Sequence, residues 1–325
     1  MNKKITGLAL GAMLSALCAS AEAQQTKKGY RIGVILPGGP LYEAIEGLKV
    51  GLKELGLEER KQFTLTMRDT KGEPKAAAEA ARSFEGEKVN LIYALANSVV
   101  TAVKAATQRT PIVFAVGSDP VASGLVESFS QPGGRLTGVH YLVRDLTAKR
   151  LEILKEILPK AGRVITFYDP GNAVPAEAAK LAREEAKRLG LKFIERHVGS
   201  VQELEKALQA LKAGDADVFF YLPDAVVVGQ AQLVIDTAKA KKLPAMFHEQ
   251  SLVVKGALAS YGQNYHEVGR LAAKYVQRVL SGTPPRDLRI ETVDHVELAI
   301  NLQTAKQLGL TIPQNVLSRA GKVIR

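Results

Sequence analysis

The chain of 325 residues contains a single cysteine, Cys18. It lies in an N-terminal stretch that reads as a cleavable export leader. Lys3-Lys4 is followed by an apolar run from Ile5 to Ala19 and then by Ala21-Glu22-Ala23. Cleavage after Ala23 leaves Gln24–Arg325 without cysteine, which excludes structural disulfides, thiolate metal sites and cysteine catalysis. The apolar run is too short and too rich in small residues for a membrane span. Acylation of Cys18 would need a small residue where bulky Leu17 stands, so a mature protein beginning at Gln24 in the periplasm is expected. Catalytic signatures are equally scarce. There is no Gly-x-Ser-x-Gly elbow, no phosphate loop and no dinucleotide fingerprint. His140, His197, His248, His266 and His295 are scattered without metal-ligand spacing. His248-Glu249 would be neighbours in a strand and face opposite sides, which argues against an acid/base pair. No catalytic residue, metal or cofactor is therefore expected.

The formal net charge is +11, and loss of Lys3, Lys4 and Glu22 with the leader lowers it by one. The basic residues are spread along helix faces, as in Lys180–Lys187 and Lys239–Lys242. They form no concentrated arm, so nucleic acid is not an expected partner. The leader runs almost straight into Arg31, leaving no room for a helix-turn-helix of the kind that ligand-responsive repressors carry.

From Tyr30 onward, apolar runs of strand length alternate with segments of helical period, the βαβ pattern of parallel sheets. Strands are expected at Arg31–Leu36, Phe63–Arg68, Val89–Ala94, Pro111–Ala115 and Leu136–His140. Helices are expected near Leu41–Leu55, Pro74–Glu85, Ser98–Thr107 and Ala122–Phe129. The pattern then restarts, with strands at Arg163–Tyr168, Lys192–His197, Val218–Leu222, Ala245–Phe247 and Ala257–Tyr261. Its helices fall near Pro175–Leu189, Val201–Leu211, Val227–Lys241 and Tyr265–Leu280. About 300 residues is too many for one ordinary core, so two lobes with a cleft between them follow.

In open parallel sheets, ligands bind beyond the carboxyl ends of the strands. The residues there are Pro37–Tyr42, Leu95–Ser98, Gly117–Pro120, Asp169–Asn172, Pro223-Asp224 and His248–Ser251. Asn97-Ser98, at the start of a helix, could offer unpaired amides and a positive dipole end to a carboxylate, or could simply cap the helix. Ser118 adds a hydroxyl. Asp119, Asp224 and Glu249 could meet an ammonium group, although Asp119-Pro120 also suits a turn. Asn172 and Gln250 are polar candidates in the corresponding second-half loops. Tyr42, Tyr168, Tyr221 and Tyr261 stand near strand ends. Tyr42 and Tyr168, each in or beside the first loop of its half, are the candidates for aromatic walls around a flat ligand.

The longest informative stretch runs from Thr110-Pro111-Ile112-Val113-Phe114-Ala115-Val116-Gly117-Ser118-Asp119-Pro120 through Gln131-Pro132-Gly133-Gly134-Arg135-Leu136-Thr137-Gly138-Val139. With Gly47–Gly56, Ala257–Gly262 and Ile300–Leu310 it resembles the type I periplasmic solute-binding proteins of ABC importers. The resemblance extends to the branch that holds tryptophan- and tyrosine-binding proteins, and it covers nearly all of Tyr30–Pro313.

The resemblance implies an α/β, type I periplasmic-binding-protein fold, with two doubly wound parallel-sheet lobes and a ligand cleft between them. The chain would cross between lobes three times, giving Tyr30–Tyr141 plus Gly262–Ile290 in one lobe. Leu142–Tyr261 plus Glu291–Arg325 would form the other. It also implies a monomeric receptor that delivers a small molecule, an amino acid or related flat solute, to an ABC permease in the inner membrane. A periplasmic sensor that presents its ligand to a membrane kinase is the alternative. Asp224 matches the family's acidic residue and is the preferred amine partner. Ala225 stands where the family commonly has a second polar residue, and Asp169-Pro170-Gly171-Asn172 replaces a serine-rich run.

Overall fold

The computed structural model describes residues 29–325, so the expectations for the leader and Cys18 lie outside it. In chain order the first half contains β1 (Tyr30–Leu36), α1 (Tyr42–Glu54), β2 (Phe63–Asp69), α2 (Pro74–Gly86) and β3 (Leu91–Leu95). It continues with α3 (Asn97–Ala106), β4 (Ile112–Val116) and β5 (Leu136–Tyr141). Then follow α4 (Thr147–Ile157), β6 (Arg163–Tyr168), α5 (Ala173–Arg188), β7 (Lys192–His197), α6 (Val201–Ala210) and β8 (Val218–Phe220). Next are α7 (Ala225–Gly229), α8 (Ala231–Ala240), β9 (Ala245–Phe247), α9 (Gln250–Val254) and β10 (Ala259–Gly262). The last elements are α10 (Tyr265–Leu280), β11 (Glu291–Val293), β12 (Glu297–Asn301), α11 (Leu302–Gln307), α12 (Gln314–Leu317) and β13 (Lys322–Ile324).

These strands make two sheets, ordered β11-β5-β4-β3-β1-β2 and β13-β12-β10-β9-β8-β6-β7. All pairs are parallel except β10 with β12. Both faces of each sheet are covered, which is why the central strands read as unbroken apolar runs. In β1, Ile32, Val34 and Leu36 point to the core shared with α1 and α10, while Ile35 points to the core under α2 and α3. Helix α10 follows β10 of the second sheet yet packs on the first, against α1. β11 pairs with β5 and so joins the first sheet, three residues past the Ile290 boundary drawn from the sequence.

Two expected helices differ from what forms, and one helix forms where none is expected. Ala122–Phe129 is a series of turns. Asp119 Oδ1 accepts from the amides of Val121 and Ala122 at 2.8 and 3.1 Å, and the Leu125 amide donates to the Pro120 carbonyl. Those bonds take the amides a helix would use, and Gly124 adopts φ +65°. Val227–Lys241 is broken at Gln230, which ends α7 and begins α8. Helix α4 was not expected, because charged residues interrupt its apolar face; one of them, Arg150, is fully buried.

The lobes touch across the cleft mouth. A Cβ on Gly39 would stand 2.1 Å from the Val228 carbonyl oxygen, and one on Gly72 would stand 2.6 Å from Ala225. The loops after β1 and β2 therefore lie against α7, and the arrangement is closed.

Candidate functional site

The cleft holds a cavity of about 560 Å³ walled by both lobes. Its inner end narrows to about 40 Å³, where Asn97, Ser98, Asn172 and Asp224 come together. Sequence reading placed all four at strand ends, and the fold brings them to one place because both sheets direct their carboxyl edges at the cleft.

On the first-lobe side the wall is the start of α3. No side chain caps this helix. Asn97 does not act as the cap; its Oδ1 instead accepts from the amides of Gly117 and Ser118 at 3.1 and 3.2 Å, tying the β3 and β4 loops together. Asn97 Nδ2 and Ser98 Oγ are buried without a partner. Ala96 precedes them at φ 75° and ψ 143°, a conformation that costs a residue with a side chain about 1–3 kcal/mol. The first two residues of the helix, Asn97 and Ser98, line the cavity directly after this turn. Free amides, the dipole's positive end, an amide group and a hydroxyl all favour an anion there.

On the second-lobe side Asp224 is buried. Its Oδ1 accepts from the Val227 amide at 3.0 Å and its Oδ2 from the Asp169 amide at 2.9 Å. Burial raises its pKa to about 6, and these amide bonds act in the opposite sense. Asn172 caps α5, accepting from the Val174 amide at 3.2 Å, and lines the cavity.

A carboxyl whose folded pKa lies above its unfolded value binds more protons in the native state. Its contribution to stability therefore falls as pH rises from about 4 to about 6. Denaturant titration of the ligand-free protein across that window should show this component. Asp224→Asn should remove it, and an unchanged pH profile in the variant would refute the assignment.

The remaining expected residues are placed as follows. Ser118 and Asp119 line the outer cavity, where Ser118 Oγ is 3.2 Å from Ser123 Oγ. Tyr42 does not line it; its hydroxyl is drawn to Asp69 Oδ2 at 3.0 Å. Tyr168 does not line it either. Strand alternation turns its ring into the core under α4 and α5, and its hydroxyl donates to Glu195 at 2.6 Å. Gln250 donates to Glu297 at 2.7 Å and is not part of the cavity wall. Glu249 is buried beside His248 and lines neither part of the cavity.

The aromatic wall is made by neither Tyr42 nor Tyr168; it includes Tyr221, one of the strand-end tyrosines, and two tyrosines that the sequence reading does not single out, Tyr141 and Tyr265. Tyr141, Tyr221, Tyr265 and His248 surround the inner end. His248 and Glu249 do not face apart, because both lie beyond the last residue of β9, where alternation no longer holds. Glu249 Oε1 stands 3.0 Å from His248 Nε2. His248 is held below the ordinary histidine pKa by burial. The signal that could have found the tyrosines is position: Tyr141 ends β5 at the first crossing, and Tyr265 begins α10 after the second.

Among the described residues, no helix is long and apolar enough to cross a membrane, and no cluster of three or more His, Cys, Asp or Glu could hold a metal. Residues 31–324 match the family described as ABC transporter substrate binding protein. A tyrosine-binding protein of Clostridioides difficile (strain R20291) is 28% identical over 297 residues, 90% of this chain and 85% of that one. The crystal structure of a conserved domain protein from Vibrio cholerae is 33% identical, with TM-score 0.81 over 91% of this chain and all of that one. An ABC domain from Streptococcus pneumonia in complex with L-Trp is 23% identical, with TM-score 0.80 over 91% of this chain and all of that one. The ligand-free, open structure of a substrate binding protein from Clostridium difficile is 26% identical, with TM-score 0.59 over 91% of this chain and 99% of that one. With a family match spanning almost every described residue, the chain belongs to the ABC transporter substrate binding proteins.

Proposed function

We propose that this chain is a periplasmic receptor that closes on a small solute bearing a carboxylate and an amine, with a flat or apolar remainder, and presents it to an inner-membrane ABC permease. The observation that carries the reading is the uncapped start of α3. There the unpartnered Ser98 hydroxyl and Asn97 amide face the same cavity as a buried acid of the opposite lobe. The acids available to the amine are Asp224 and Glu249. The outer chamber has mostly small walls, such as Ala102, Ala105, Ala173 and Val226, and its volume falls in the range of ordinary ligand sites. Relatives named for tyrosine binding and solved with L-Trp support an aromatic amino acid as the first solute to test. Export rests on the leader, and N-terminal analysis of mature protein should find Gln24.

The test is a thermal-shift screen of the twenty amino acids, with mass spectrometry of whatever co-purifies, followed by Ser98→Ala. A hydroxyl bonded to a carboxylate is worth about 1.5–3 kcal/mol. The variant should thus bind about 10- to 150-fold more weakly. Alanine suits a helix first turn, and the substitution removes a buried unsatisfied hydroxyl, so the ligand-free melting temperature should hold or rise. Equal affinity in the variant would remove α3 from the ligand site.

A further inference from the structure

The inner end of the cleft is a cage of rings. Tyr141 and Tyr265 meet edge to face with centroids 5.4 Å apart. His248 stands 4.9 Å from Tyr221 and 5.9 Å from Tyr265. Tyr141 and Tyr265 belong to elements of the first sheet's lobe, Tyr221 and His248 to the second. The Tyr265 hydroxyl lies 2.7 Å from His248 Nε2 across the boundary between the lobes. The space inside, about 40 Å³, suits a group about the size of one water rather than a ring.

Behind the cage lies Glu249, 1% exposed; its Oε1 stands 3.0 Å from His248 Nε2, and its Oε2 accepts no hydrogen bond among the described residues. Its charge is near enough to raise the pKa values of Tyr141, Tyr221 and Tyr265, whose dominant shift comes from burial. Arg150, fully buried on α4, is the opposing charge. Its Nη2 donates to the Tyr221 carbonyl at 3.2 Å, and its guanidinium sits 5.1 Å from the Phe220 ring centre. Arg150 Nε and Nη1 have no partner, and no ion pair joins Arg150 to Glu249 among the described residues. Asp224 differs, since each of its oxygens already holds a backbone amide.

We propose that the cage of Tyr141, Tyr221, Tyr265 and His248, backed by Glu249, is the subsite for the ligand's ammonium group, and that Asp224 serves chiefly to cap α7 and hold the Asp169 loop. Electron-rich rings and a buried carboxylate with one oxygen still open are the two features that attract a desolvated cation. The α3 end then takes the carboxylate, and the remainder of the ligand occupies the larger outer chamber. This rests on the amine-carboxylate reading above and decides which acid meets the amine.

The test is calorimetry on the full mature chain with L-tyrosine, its deaminated analogue 3-(4-hydroxyphenyl)propionate, and tyramine. The parent should prefer L-tyrosine to the deaminated acid by about 10- to 150-fold, the factor expected of a charged hydrogen bond. Glu249→Gln should collapse that preference while leaving affinity for the deaminated acid within about two-fold. Tyr265→Phe, which keeps the ring and removes the bond to His248, should retain most of the preference. Equal loss for both ligands in Glu249→Gln would mark a merely structural role and overturn the proposal. Collapse of the preference in Asp224→Asn, with Glu249→Gln unaffected, would also overturn it while leaving the amine-carboxylate reading intact. If none of the three compounds binds the parent, that reading and this one fall together.

Discussion

Gly229→Ala is expected to leave both lobes folded and to stop them from closing. Gly229 is the last residue of α7 and has no positive φ, so alanine there should favour the helix by up to about 1 kcal/mol. In the closed arrangement its Cβ would stand 2.5 Å from the Pro37 carbonyl oxygen and 3.2 Å from the Lys71 carbonyl carbon. Both belong to first-lobe loops, and backbone at that distance cannot swing aside as a long side chain can. An overpacked contact costs about 1–3 kcal/mol. That cost falls only on the closed state, so apparent affinity should drop by about 5- to 150-fold. Ligand-free melting should be unchanged or slightly higher. Small-angle scattering should show ligand-induced compaction in the parent and much less in the variant. Gly39→Ala is less clean, because φ +61° there penalises alanine even in an open receptor. Full compaction and parental affinity in Gly229→Ala would mean that α7 does not meet these loops when ligand is bound.

The elements framing the cleft were legible where apolar runs end in strong punctuation. β6, β7, β9 and α10 form at the residues read from the sequence, each bounded by turn or capping residues; Asn264 accepts from the His266 and Glu267 amides to begin α10. The strand-end rule likewise found Asn97, Ser98, Asn172 and Asp224, because strand direction fixes which loops face the cleft. What could not be read depends on contacts distant in sequence. Tyr42 is a plausible wall until Asp69 draws its hydroxyl away. Tyr168 looks like a strand-end tyrosine until alternation sends it beneath the sheet. Tyr141 and Tyr265 are 124 positions apart and form a wall only because α10 returns to the first lobe. Arg150 reads as a solvated residue of a charged helix, and nothing local reports that its turn faces the second core.

The return of α10 rests on glycine, and Gly47→Val is expected to have the largest effect on stability. A Cβ on Gly47 would lie 1.8 Å from the His266 carbonyl oxygen, and one on Gly269 would lie 1.8 Å from the Ala44 carbonyl oxygen. The two backbones are in contact, so a side chain at either position must push the helices apart. Separation strips the packing of Ile45, Leu48, Val268 and Ala272, all buried in the core they share with β1 and β3. Combined overpacking and lost burial belongs to the rare class of substitutions costing more than about 4 kcal/mol. For a lobe of this size that corresponds to a melting temperature lower by roughly 10 °C or more. Gly86→Ala is the control, since a Cβ there meets nothing within 4 Å. Hydrogen exchange separates global from local failure. Amides of β1, β3 and β4 should lose protection first, while those of β6, β8 and β9, whose sheet does not include α10, should keep it. Because α10 begins at Tyr265, the same change should withdraw one wall of the ring cage and abolish ligand-induced stabilisation even where some first lobe persists. Parental melting in Gly47→Val would show that α1 and α10 do not approach this closely, and the placement of Tyr265 against His248 would fall with that contact.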